Sequence, residues 1–124
     1  MRFLIIDDDI GFCKTISYLI EKYHLGVILA NCGDGLEAES IIRKLRPDIV
    51  VIDLLLPGQS GIELAKKINN VDNKISFIMI SACSNESLIT EAYHSGIDFY
   101  LQKPINALDF TSVIKKIVIG KTQY

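Results

Sequence analysis

The sequence predicts an α/β fold, a parallel sheet covered by helices on both faces. Five short apolar runs recur along the chain, at residues 3–6, 27–30, 49–52, 75–80 and 99–101. Each is followed by a segment whose apolar residues fall at helical spacing. The runs are near-continuously apolar rather than alternating, as expected of strands buried on both faces.

The elements follow in order. Phe3-Leu4-Ile5-Ile6 runs directly into Asp7-Asp8-Asp9. Cys13, Ile16, Leu19, Ile20 and Tyr23 then share one helical face, with Gly26 as the expected stop. Asp9 reads as an acid favoured at the positive end of that helix. After the second strand, Asp34 followed by Glu37 predicts a cap. Ala38, Ile41, Ile42 and Leu45 form the next stripe, ended before Pro47. The third strand delivers Asp53. Ser60-Gly61-Ile62-Glu63 has capping-box spacing and opens a helix carrying Leu64, Ala65 and Ile68. The fourth strand ends at Ser81, and its helix is expected over residues 85–95, stopped by Gly96. The fifth strand leads to Lys103-Pro104. The last helix, from about residue 106, carries Phe110, Val113, Ile114 and Ile117.

With 124 residues, 49% hydrophobic and 23% charged, the chain suits one globular domain. A net charge of −2 lacks the basic footprint of a nucleic-acid binder. No apolar run approaches the ~20 residues of a membrane span or the roughly 7–15 of a signal-peptide core, so a cytoplasmic protein is expected. Cys13, Cys32 and Cys83 lack the paired spacings of zinc or redox sites and read as free thiols, the first two buried. His24 and His94 fall near helix ends, where they complement the dipole.

In open parallel sheets, ligands bind at the carboxyl ends of the strands. Here an acid, an acid, a hydroxyl and a lysine each follow a strand. Two carboxylates some 4 Å apart repel by roughly 4 kcal/mol at an effective dielectric of about 20, so a proton or a cation must intervene. Mg²⁺ takes one or two carboxylates and keeps several waters. Asp8 and Asp53 suit that need, with Asp7 reaching the metal through water. Asp53 can then act as a nucleophile and form an aspartyl phosphate. Lys103 is placed to pair with the phosphoryl group, and Ser81 to hydrogen-bond it.

Leu4-Ile5-Ile6-Asp7-Asp8-Asp9, Asp53-Leu54-Leu55-Leu56-Pro57, Gly61, Ser81-Ala82 and Lys103-Pro104, in that order at strand ends, resemble the receiver domain of bacterial response regulators over nearly the whole chain. The resemblance implies a flavodoxin-like (βα)5 three-layer sandwich with sheet order 2-1-3-4-5. It implies Asp53 as phosphoacceptor, Asp8 and the Leu55 carbonyl as Mg²⁺ ligands (Mn²⁺ as a substitute), and Asp7 as a ligand through water. Ser81 and Lys103 would contact the phosphoryl group, and Tyr100 would be the aromatic that moves with Ser81.

The implied donor is a histidine kinase or histidine phosphotransfer protein, or a small donor such as acetyl phosphate. The implied output surface, which also serves for homodimers, is the face of the fourth helix, fifth strand and fifth helix. The domain is expected over residues 1–120, with 121–124 a tail or the start of a linker. It is a switch rather than a turnover enzyme.

Two details set expectations of their own. By the same resemblance, Leu55 and Cys83 would flank the path of an attacking water, and leucine and cysteine orient it poorly, so a slowly hydrolysing phosphoryl group is expected. Ile97, Val118 and Ile119 cannot all turn inward on simple periodicity, so some apolar surface is expected at the output face.

Rival functions fare worse on the same residues. An aspartyl-phosphate phosphatase wants a second acid two residues after its nucleophile, where this chain has Leu55. A flavin carrier wants free amides in the first loop, where three aspartates repel phosphate. A pseudo-receiver, acting only as an interaction or dimerisation module, usually lacks an acid or the lysine; both are here.

Overall fold

A computed structural model describes residues 1–122, in which strands and helices alternate throughout. The elements are β1 (Arg2–Ile6), α1 (Ile10–Lys22), β2 (Val27–Cys32), α2 (Gly35–Leu45), β3 (Ile49–Ile52), α3 (Gly61–Asn69), β4 (Ser76–Ser81), α4 (Glu86–His94), β5 (Phe99–Gln102) and α5 (Ala107–Thr122). The strands form one parallel sheet of order β2-β1-β3-β4-β5. Residues 123 and 124, half of the expected tail, lie outside the described residues, and α5 runs past residue 120.

Alternate residues of the central strands feed two separate cores. Phe3, Ile5, Val51, Ile78 and Ile80 pack with Ile16 and Ile20 of α1 and Phe110 and Ile114 of α5. Leu4, Ile6, Val50, Ile52, Phe77 and Met79 pack with Ala38 and Ile42 of α2, Leu64 and Ile68 of α3, and Ala92 of α4. The central strands are therefore dry on both sides, which is why they carry no alternating polar face.

The helices begin where side-chain oxygens can satisfy their free N–H groups. Asp9 accepts from Phe12 N at 3.1 Å, Asp34 from Leu36 N at 2.8 Å and Glu37 N at 3.0 Å, Ser60 from Glu63 N at 3.2 Å, and Asn85 from Leu88 N at 3.0 Å.

One expectation is corrected and another is met in part. Gly26 is not the helix stop. α1 ends at Lys22 and His24 takes the left-handed conformation, φ 53°. Gly26 is needed because a Cβ there would collide with the Met1 carbonyl. Ile97, Val118 and Ile119 do not all turn inward, as expected: Ile97 is buried in the α2–α3–α4 core, Val118 is partly covered and Ile119 stays 57% exposed.

Candidate phosphoacceptor site

Strand register builds the site. Ile6 and Ile52 are paired in β1 and β3, and Asp53 N donates to the Ile6 carbonyl at 3.0 Å, so the next residues, Asp7 and Asp53, emerge side by side. On the other flank Ser81 pairs with Gln102, and Lys103 N donates to the Ser81 carbonyl at 2.9 Å. Gly61 lets α3 start against this edge, because a Cβ there would strike the Asp53 carbonyl.

Lys103 reaches back across the sheet edge. Its Nζ donates to Asp7 Oδ2 at 2.8 Å and to Asp53 Oδ2 at 3.1 Å. Asp7 is buried, and its Oδ1 accepts from Asp9 N at 2.9 Å. Asp53 Oδ1 accepts from Leu55 N at 3.3 Å. Asp8 is exposed, and carboxylate oxygens of Asp7, Asp8 and Asp53 lie within 4.8 Å of one another. Three carboxylates against one ammonium leave the cluster formally negative by two charges.

Burial and the neighbouring charges together set the ionisation of these groups. Burial pushes the Asp7 carboxyl above its ordinary value and the Asp53 charge adds to this, while Lys103 and the Asp9 N–H oppose it. Burial alone would lower Lys103, but its hydrogen bonds to Asp7 and Asp53 hold the ammonium above its usual range. The set fits a small hard cation: oxygen donors only, excess negative charge, and one carboxylate open to solvent.

Ser81 is buried at the end of β4, its Oγ accepting from Cys83 N at 3.4 Å. The Tyr100 hydroxyl donates to the Cys83 carbonyl, placing that half-buried ring against the loop after Ser81. Burial raises the Tyr100 phenol, so it stays a hydrogen-bond donor. Leu55 projects its side chain into solvent, 68% exposed.

The family model described as "Response regulator receiver domain" matches residues 3–115. The chain belongs to that family. This receiver is 36% identical over 119 residues to the transcriptional regulatory protein GlnL of Bacillus subtilis, covering 94% of the chain and 37% of that protein. It is 30% identical over 115 residues to sporulation initiation phosphotransferase F of the same organism, covering 93% of the chain and 91% of that protein. A crystal structure of a LuxR-family two-component response regulator from Aurantimonas sp. SI85-9A1 superposes with a TM-score of 0.88 at 28% identity, over 96% of the chain and 85% of that structure. The receiver thus spans little more than a third of GlnL but nearly all of the phosphotransferase.

The expected residues Asp7, Asp8, Asp53 and Lys103 converge directly, and Ser81, Leu55 and Tyr100 border them. Sequence reasoning missed two neighbours. The Phe12 ring lies under Lys103, with Nζ 4.2 Å from its centroid. Gln59, 5% exposed, donates to Glu39 Oε1 at 3.0 Å and ties the loop after Asp53 to α2. Neither contact leaves a local signal, since the partners are far apart along the chain.

Proposed function

We propose that Asp53 accepts a phosphoryl group in a Mg²⁺-dependent reaction and that the resulting aspartyl phosphate sets the state of this receiver. The convergence of Asp7, Asp8, Asp53 and Lys103 on one sheet edge supports this reading. An Asp53 carboxylate oxygen attacks the donor phosphorus and forms the new O–P bond. The P–N bond of a phosphohistidine, or the P–O bond of acetyl phosphate, breaks with its electron pair going to the leaving group. Bound Mg²⁺, or Mn²⁺ in its place, would supply charge neutralisation to the attacking carboxylate and the phosphoryl oxygens alike.

Asp8, Asp53 and the Leu55 carbonyl are the proposed ligands, with Asp7 acting through water. Lys103 leaves the carboxylates for a phosphoryl oxygen, and the Ser81 hydroxyl donates to another. That draws the loop carrying Cys83 inward, and Tyr100, bonded to the Cys83 carbonyl, carries the change to β5. The donor is a histidine kinase or phosphotransfer protein, and the face of α4, β5 and α5 is the proposed output and dimer surface. The domain acts as a switch and not as a turnover enzyme.

Thermal unfolding with Mg²⁺, beryllofluoride or both tests the reading. Beryllofluoride is expected to stabilise the chain only together with Mg²⁺ and only while Asp53 is present. Stabilisation that survives Asp53→Asn would contradict it.

A further inference from the structure

Resting on the phosphoacceptor reading, we propose that Phe12 is a positioning residue for Lys103, its ring holding the ammonium by a cation–π contact on the approach of the incoming phosphoryl group. Lys103 has three N–H donors, and Asp7 and Asp53 take two of them. The remaining side of the ammonium faces the Phe12 ring, 4.2 Å from its centroid and well inside the ~6 Å range of such contacts.

Phe12 is itself held in place. Its N–H is capped by Asp9, and its half-buried ring packs on the core formed by α1 and α5. An aromatic face suits this position for a physical reason. A third carboxylate beneath Nζ would neutralise Lys103 and compete with the phosphoryl oxygens. An aliphatic side chain would exert no field, leaving only the two carboxylate contacts to fix the flexible four-carbon stem, and the Asp53 contact is given up when a phosphoryl group arrives. The ring attracts the cation, carries no charge, and lets Nζ slide off Asp53 when a phosphoryl group arrives.

The test compares phosphorylation rates from acetyl phosphate with Mg²⁺ in the wild type, Phe12→Tyr, Phe12→Leu and Phe12→Met. The aliphatic variants are expected to react roughly three- to tenfold more slowly, with Phe12→Tyr close to the wild type and Mg²⁺ affinity unchanged throughout. Phe12→Met keeps most of the volume, so it stands in if Phe12→Leu folds poorly. A second readout needs no phosphorylation. The Lys103 ε-methylene protons, shifted upfield by the ring, should move downfield in both aliphatic variants and hold in Phe12→Tyr. Wild-type rates in the aliphatic variants, equal slowing in Phe12→Tyr, or unmoved methylene resonances would overturn the role of Phe12. A wild-type chain that takes no phosphoryl group would instead overturn the phosphoacceptor reading beneath it.

Discussion

Two charged clusters flank the loop after β3 with inverse composition. On the α2–α3 side, the single carboxylate of Glu39 accepts from Arg43 at 3.2 Å and Gln59 at 3.0 Å and ion-pairs with Lys67 at 3.6 Å. On the other side, Asp7 and Asp53 share Lys103, the one cationic side chain that bridges to them among the described residues, and Asp8 adds a third carboxylate nearby. The two clusters also differ in ionisation. The Gln59 hydrogen bond, with help from Arg43 and Lys67, holds the Glu39 carboxyl below its ordinary value, whereas burial and the Asp53 charge push Asp7 up. A satisfied carboxylate calls for nothing further and fixes a loop to a helix. A cluster with excess negative charge favours a cation, in keeping with the proposed Mg²⁺-dependent site.

The contrast breaks most readily on metal. At a Mg²⁺ concentration a hundred times Kd, linkage gives about 2.7 kcal/mol of stabilisation. The wild type and Glu39→Gln should both gain it as a rise in Tm of several degrees, reversed by chelation, and Asp8→Asn should gain almost none. A Mg²⁺ response unaffected by Asp8→Asn would remove the distinction between the clusters.

Next come the lysines. Lys103→Met leaves buried Asp7 beside Asp53 with no counter-charge. Breaking a fully buried pair costs about 3–5 kcal/mol; Lys103 keeps 20% of its side chain exposed, so roughly 2 kcal/mol is expected in metal-free urea unfolding. Lys67→Met should cost less than about 0.5 kcal/mol, since Lys67 is 53% exposed and Arg43 and Gln59 remain on Glu39. Equal costs for the two lysines would show that the count of partners is not what matters.

A third prediction sharpens the chemistry within the site. Leu55 is exposed and Cys83 N donates to Ser81 Oγ, and the expectation is that neither side chain orients an attacking water, leaving a slowly hydrolysing phosphoryl group. A Leu55→Asn, Cys83→Glu double variant should lose its phosphoryl group about fivefold faster, equivalent to ~1 kcal/mol in the barrier. Matching decay rates in variant and wild type would rule this out.

The smallest effect concerns pH at Glu39. Its folded pKa is depressed, so its contribution is fully present above the unfolded value near 4.5 and is lost as pH falls through the still lower folded value. The stability advantage of the wild type over Glu39→Gln, on the order of 0.5 kcal/mol for a partly exposed group, should hold at pH 7 and fade below about pH 4.5. An advantage that grows on acidification would reverse the sign.

Much of this was legible in the sequence because it is local. An apolar run ending in an acid places Asp53, and a short polar residue before a helical stripe places the caps at Asp34 and Ser60. Parallel register then brings Asp7 and Asp53 together because they follow the neighbouring strands β1 and β3, and Lys103, two strands from Asp53, joins them through its long side chain. What stayed hidden depends on contacts between distant segments. Gly26 is glycine because the Met1 carbonyl lies against it, and Ile97 is buried because α2, α3 and α4 close over it. Phe12 meets Lys103, and Gln59 meets Glu39, only through packing that no spacing along the chain records.

The most direct measurement is the intact mass of the chain after incubation with acetyl phosphate, with and without Mg²⁺, beside an Asp53→Asn variant. The account predicts one phosphoryl adduct that requires both Mg²⁺ and Asp53. An adduct that persists in Asp53→Asn or without Mg²⁺, or no adduct from either acetyl phosphate or a phosphohistidine donor, would contradict it.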